Sequence, residues 1–153
     1  MRSLLLLLVC ATVYGQEITN TLMSDTALRR SFAELEKQAG YGRFHWERAA
    51  FIVRDPNGAF RTVPWPFTHG YNQESFNGSM PDGVVAIVHT HPVDISAPSP
   101  GDCDIAARMS IPIFVLTPLN IYVATRSGES VALVRNAEWT RETADEKSDR
   151  RMR

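Results

Sequence analysis

The pattern of apolar and polar positions predicts a helix followed by a hairpin in the first half of the chain. Between Ser24 and Ala39 apolar residues recur at helical spacing, Ser24 or Asp25 can cap the start, and Gly40 can end the helix. Residues 44–65 then contain two strand-like runs on either side of Asp-Pro-Asn-Gly, a sequence that favours a tight turn. A hairpin therefore follows the helix.

The second half of the chain is dominated by predicted strands. The run VVAIVHTH at 84–91 is apolar up to its histidines, which is typical of a strand buried on both faces. Residues 64–83 show neither period and predict a long loop, whose aromatic side chains either line a cleft or pack as a satellite cluster. A short helix is predicted at 101–110. Three further strands are predicted at 111–117, 120–125 and 130–136.

The two ends of the chain differ from this central domain. Residues 1–15 have an early positive charge and an apolar run, and they predict a secretory signal peptide cleaved before Gln16. The run is shorter than the about 20 apolar residues that span a bilayer, although a retained anchor is the alternative. We expect one domain at 16–136, a charged, frayed or disordered tail at 137–153, and a secreted or periplasmic protein.

Charge and cysteine content narrow the possible partners and the source of stability. The 153-residue chain has a formal net charge of -1 with both signs interspersed, so nothing favours nucleic acid or an anionic membrane as a partner. Cleavage of the signal would remove Cys10 and leave Cys103 without a disulfide partner. We expect Cys103 to be buried apolar filler, with a thiolate ligand or nucleophile as the alternative.

The densest group of metal-binding residue types follows the buried strand. His89 and His91 are two residues apart, so on a strand both imidazoles point to one face. Ser99 and Pro100 are typical of a helix start, which places Asp102 in the first turn. Ser-x-x-Asp is also a capping box, in which both side chains bind backbone donors. Two imidazoles and a carboxylate are, equally, a zinc-type ligand set.

The spacing His-x-His-Pro, five residues, Pro-Ser-x-x-Asp resembles the signature of the JAMM or MPN+ metalloproteases of the JAB domain fold. The resemblance implies an α+β fold of three α/β/α-like layers, with a mixed, curved sheet flanked by helices. It also implies a zinc ion held by His89, His91 and Asp102 with water as the fourth ligand, and a Ser99 that stabilises the oxyanion. Glu47 matches the position of the family's general base. The family commonly has glycines shortly after that glutamate, where this chain has alanines.

The resemblance predicts a zinc-dependent hydrolase of peptide or isopeptide bonds that acts on a protein or peptide substrate after export. Two other classes of function remain open. One is a binding or scaffold module of the MPN type without catalysis, and the other is an envelope protein that captures metal. Metal content and turnover distinguish these classes.

Overall fold

A computed structural model describes residues 18–68, 70–71, 75–95 and 97–140. The predicted signal peptide at 1–15 lies outside these residues. The helices and strands, in chain order, are α1 (Thr26–Gln38), β1 (Ala49–Arg54), β2 (Phe60–Pro64), β3 (Val84–Thr90), α2 (Pro100–Met109), β4 (Ile113–Leu116), β5 (Ile121–Ala124) and β6 (Ser130–Val134). Within the described ranges, every helix is too short or too polar to cross a membrane.

The strands form one six-stranded mixed sheet in the order β2-β1-β3-β4-β5-β6. Neighbouring strands run antiparallel except β3 and β4, which are parallel and are joined by α2. Parallel neighbours require such a crossover, because the chain must return to the end of the sheet at which the first strand started before the second strand can begin. The predicted α+β class and mixed sheet are confirmed.

Both local elements of the first half form where the sequence predicts them. Asp25 caps α1 by accepting a hydrogen bond from the backbone N–H of Leu28 at 2.9 Å. The predicted turn joins β1 to β2, and Gly58 there has φ +87°, a conformation that a residue with a Cβ adopts only with strain. The helix and the hairpin are confirmed.

The sheet separates two cores, which makes the fold three-layered. On one face the apolar side of α1 packs against the sheet; this core includes Leu28, Phe32, Ile52, Val88 and Phe114. On the other face Ala106 of α2 packs with a second set, Phe51, Val53, Ile87, Ile113 and Ala124. Alternate residues of β3 enter opposite cores because successive strand side chains point to opposite faces. From Ala86 to His89 the even-numbered residues face α1, and the odd-numbered residues face α2.

Two features of the packed domain were not predicted from the sequence, one within the expected bounds of 16–136 and one beyond them. Residues 18–24 are helical, and Leu22 is fully buried in the α1-side core. Trp139, which the sequence placed in the charged tail after residue 136, is 1% exposed, and its indole N–H donates to the carbonyl oxygen of Thr117 at 2.8 Å. The packed chain therefore reaches Trp139. Residues 141–153 of the predicted tail lie outside the described ranges.

Candidate metal centre

The end of β3 places both histidines on the α2 side of the sheet. His89 pairs with Ala49 of β1 and with Val115 of β4, so it sits in the middle of the sheet. His91 follows directly after the strand, and its ring centroid is 4.7 Å from that of His89. Both residues are buried, with 9% and 5% of their surface exposed. The shared face expected from strand alternation is present.

A backbone contact fixes the proton position on His91. Its Nδ1 lies 2.9 Å from the carbonyl oxygen of Ile95, in the turn between β3 and α2. Since a carbonyl only accepts hydrogen bonds, Nδ1 carries the proton and Nε2 keeps its lone pair. Burial, and then the neighbouring His89, lower the pKa of His91. The ring is therefore held neutral with Nε2 available as a metal ligand.

Glu47 lies two residues before β1, and therefore outside the strand in which the sequence placed it. Reciprocal bonds hold this segment beside β3: the Arg48 N–H donates to Thr90 Oγ1 at 3.0 Å, and the Thr90 N–H donates to the Arg48 carbonyl at 2.9 Å. The carboxylate of Glu47 consequently reaches both imidazoles. Its Oε2 is 3.1 Å from His89 Nδ1, and its Oε1 is 3.9 Å from His91 Nε2.

The two carboxylate oxygens of Asp102 make different contacts. Its Oδ2 accepts bonds from the backbone N–H and the hydroxyl of Ser99, each at 2.7 Å, while the Asp102 N–H donates to Ser99 Oγ at 3.1 Å. This is the capping box of α2. Oδ1 lies 3.1 Å from His89 Nε2. Capping and proximity to the histidines, which the sequence left as alternatives, therefore occur together.

Opposing effects set the charge of this cluster. Burial alone would lower the pKa of His89, but the carboxylates of Asp102 and Glu47 outweigh it and raise that pKa to about 9. Burial alone would raise the pKa of Asp102, but His89 and Ser99 outweigh it and hold that pKa well below its usual range. Without a metal ion, a cation on His89 thus balances the buried carboxylates.

The arrangement has the chemistry of a metal site. Among the described histidine, cysteine, aspartate and glutamate side chains, Glu47, His89 and His91 form a buried group whose ligand atoms all lie within 4.8 Å of one another. His89 Nε2 is buried and makes no aligned hydrogen bond, although Asp102 Oδ1 is only 3.1 Å away. A buried ring nitrogen without a hydrogen-bond partner costs free energy unless a ligand satisfies it. This group can hold a metal ion.

A cavity of about 280 Å³ opens beside the cluster. All five residues singled out in the sequence line it, namely Glu47, His89, His91, Ser99 and Asp102. Trp65, Ile105 and Ile113 also line it, and sequence reasoning did not single them out individually. The only signal was the aromatic content of the loop at 64–83. Trp65 lines the cavity and also packs against Phe51 of the α2-side core, with 5.1 Å between ring centroids.

Cys103 follows Asp102 in α2 but stands apart from the metal-binding group. It is partly buried and packs against the α2-side core. Burial raises the pKa of its thiol, and Asp102 and Asp104 raise it further. A raised pKa keeps the thiol protonated at neutral pH, which is the opposite of what a cysteine nucleophile requires.

Comparisons of this chain with protein-family models, with curated proteins and with solved structures found no match. The site is therefore interpreted from its own geometry.

Proposed function

We propose that this protein is a zinc-dependent hydrolase of peptide or isopeptide bonds, exported from the cell, with the JAB-type fold that its His-x-His-Pro and Ser-x-x-Asp motifs suggest. One observation carries the proposal: two imidazoles and two carboxylates converge, largely buried, at the wall of one open cavity. A structural metal site would have no need of a cavity. A hydrolase requires one beside its metal.

Three side chains are proposed as the metal ligands. His91 offers Nε2 because its other nitrogen donates to Ile95. His89 offers Nε2, and Asp102 offers Oδ1 beside it. Three protein ligands with one open position are typical of catalytic zinc. When bound, zinc supplies Lewis-acid polarisation of a carbonyl and brings the pKa of a water molecule down to about 7.

Glu47 is proposed as the general base. Glu47 is 5% exposed and borders the cavity, where its carboxylate can take a proton from the attacking water and deliver it to the leaving amine. The backbone pairing of Arg48 with Thr90 fixes the start of β1 and so aims this carboxylate. Ser99, also at the cavity, would donate its hydroxyl to the developing oxyanion. In the structure this hydroxyl donates to Asp102 Oδ2, so that hydrogen bond must break before Ser99 can donate to the oxyanion.

The test compares two glutamate variants. Glu47→Gln should retain zinc, measured by elemental analysis of the mature protein, and lose cleavage of a peptide library followed by mass spectrometry. Glu34→Gln is the matched control because Glu34 lies exposed on α1; it should keep both properties. Cleavage by Glu47→Gln at the wild-type rate would refute the proposed mechanism.

One observation favours a second candidate, a metal-binding module without catalysis. Glu47 belongs to the compact group with the two histidines, so it can itself be a ligand. Glu47 together with His89, His91 and Asp102 would give four protein ligands, the closed set typical of structural zinc. In that case Glu47→Gln would lose the metal as well as any activity. The zinc content of this single variant therefore separates the two candidates.

A further inference from the structure

We propose that the cavity beside the metal centre binds an apolar side chain of the substrate, on the residue that flanks the scissile amide. This inference rests on the proposed hydrolase and adds the class of its substrate. Away from the cluster, the cavity is lined by Ala49, Trp65, Ile87, Ile105 and Ile113. Ligand pockets with mainly apolar walls and a few polar groups at one end orient the ligand by those polar groups and bind its carbon surface with the rest.

The floor of the cavity is the sheet itself. Ile87 precedes His89 by two residues on the same face of β3, which is about 6.6 Å along a strand. Ile113 of β4 pairs with Ile87, and Ala49 of β1 pairs with His89. An amide placed at His89 therefore has an apolar floor within one side-chain length. The small Ala49 leaves that space open, where a larger residue would occupy it.

Two side chains form walls of the cavity beside the sheet. Trp65 is fixed by its backbone N–H, which donates to the Ala49 carbonyl at 2.9 Å, and by the ring of Phe76, whose centroid is 5.3 Å away. The opposite wall is Ile105, three residues after Asp102 and hence on the same face of α2. Ile105 is 36% exposed although it is a large aliphatic residue. A substrate side chain between Trp65 and Ile105 would cover it.

The lining determines which side chains are accepted. Leucine, isoleucine, methionine or phenylalanine would bury carbon against carbon, which favours binding in proportion to the area removed from water. A glycine would leave the cavity unfilled. A glutamate would bring a charge among Ala49, Trp65, Ile87, Ile105 and Ile113, and none of these side chains would compensate it. We expect a leucine-containing amide to bind about 10- to 100-fold more tightly than its glycine counterpart.

The experiment measures binding and does not depend on turnover. Zinc-loaded wild-type protein is titrated with N-acetyl-leucine methylamide, N-acetyl-glycine methylamide and N-acetyl-glutamate methylamide. Binding is followed by NMR at the indole N–H of Trp65, assigned by comparison with Trp65→Phe. The leucine probe should shift this resonance at a concentration at least tenfold below the other two. Equal binding of the three probes would overturn the proposal.

Two substitutions test the location. Ile105→Trp should fill the cavity and abolish the leucine preference, whereas Met109→Trp, one turn further along α2 and 39% exposed, should leave it intact. Should Ile105→Trp fail to fold, Ile105→Ala serves instead and should reduce the preference. A preference that survives substitution of Ile105 refutes this site. Selective, Ile105-dependent binding without cleavage of any peptide would uphold the pocket while the hydrolase proposal fails.

Discussion

Asp102 Oδ1 lies 3.1 Å from His89 Nε2, yet no aligned hydrogen bond joins the two atoms. A third partner that binds both atoms would satisfy the buried ring nitrogen. The proposed metal position satisfies both atoms, since zinc binds imidazole nitrogen and carboxylate oxygen at about 2.0–2.2 Å. Variants of Asp102 and Ser99 test this relationship directly, whereas Glu36 and Trp139 are buried elsewhere in the fold.

Removing the charge of Asp102 should lower the metal affinity more than removing the Ser99 hydroxyl that hydrogen-bonds to Asp102. Asp102→Asn keeps the size of the side chain and its ability to accept from Ser99, but it is a far weaker zinc ligand. We expect its zinc affinity, measured by chelator competition, to fall by more than the about 10- to 100-fold typical of an outer-shell change. An Asp102→Asn protein with wild-type affinity would exclude Asp102 as a ligand.

Ser99 should couple the helix cap to the metal. Ser99→Ala removes the hydroxyl that bonds Asp102, so unfolding should become easier by about 0.5–2 kcal/mol and zinc affinity should fall by about 10- to 100-fold. Asp25→Ala, at the cap of α1, is the matched control: it should lower stability by a similar amount and leave zinc affinity unchanged. Urea denaturation and chelator competition supply the two measurements. Equal zinc affinities in both variants would contradict the coupling.

Glu36 should make the protein less stable as the pH rises. This fully buried side chain of α1 has no hydrogen-bond partner for either carboxylate oxygen, and burial raises its pKa from 4.5 to about 8. The folded state holds the proton that the unfolded state releases, so Glu36 contributes a loss of about 1.4 kcal/mol per pH unit between pH 4.5 and 8.

Glu36→Met should therefore flatten the pH dependence of unfolding and raise the melting temperature most at pH 8. The thioether replaces the carboxyl with an apolar group of similar length, so no proton has to be retained on folding. Glu34→Met, on the exposed face of the same helix, controls for helix propensity. A Glu36→Met protein with the wild-type slope would show that the carboxyl is solvated or paired in solution.

Trp139 should be essential to the fold although it follows the last strand. Trp139→Ala removes a side chain that is 1% exposed and one of the two hydrogen bonds that the Thr117 carbonyl accepts, so the free energy of unfolding should fall by about 3–5 kcal/mol. Arg135→Ala, at an exposed position nearby, should change it little. Denaturant titration measures both variants. A small effect for Trp139→Ala would mean that the indole is not packed in solution.

Sequence alone predicted those features that depend on local spacing. Strand alternation placed His89 and His91 on one face, and a serine before a proline marked the start of α2 with Asp102 in its first turn. The sheet order was not accessible, because strand pairing depends on contacts between distant residues. The burial of Trp139 was missed for the same reason: its partner Thr117 is 22 residues away, and its neighbours in sequence are polar.

The lining of the cavity could not be predicted from the sequence for the same reason. Trp65 follows β2, Ile87 lies in β3 and Ile105 lies in α2, and no spacing in the chain relates them. Each one, taken singly, is an ordinary apolar residue. The sequence indicated the chemistry of the cluster because its motif is nearly contiguous. For the surface beside it, the only indication was the aromatic content of the loop at 64–83, because that surface is assembled only by folding.

Ile95 contributes to the site in two independent ways, through its backbone carbonyl and through its side chain. The carbonyl oxygen of Ile95 holds His91 in place, while the same residue lines the cavity. Every amino acid brings that carbonyl, so relatives could exchange the side chain and acquire new selectivity without disturbing the imidazole. A substitution at Ile95 should therefore reshape the wall of the cavity and keep the hydrogen-bond acceptor of His91.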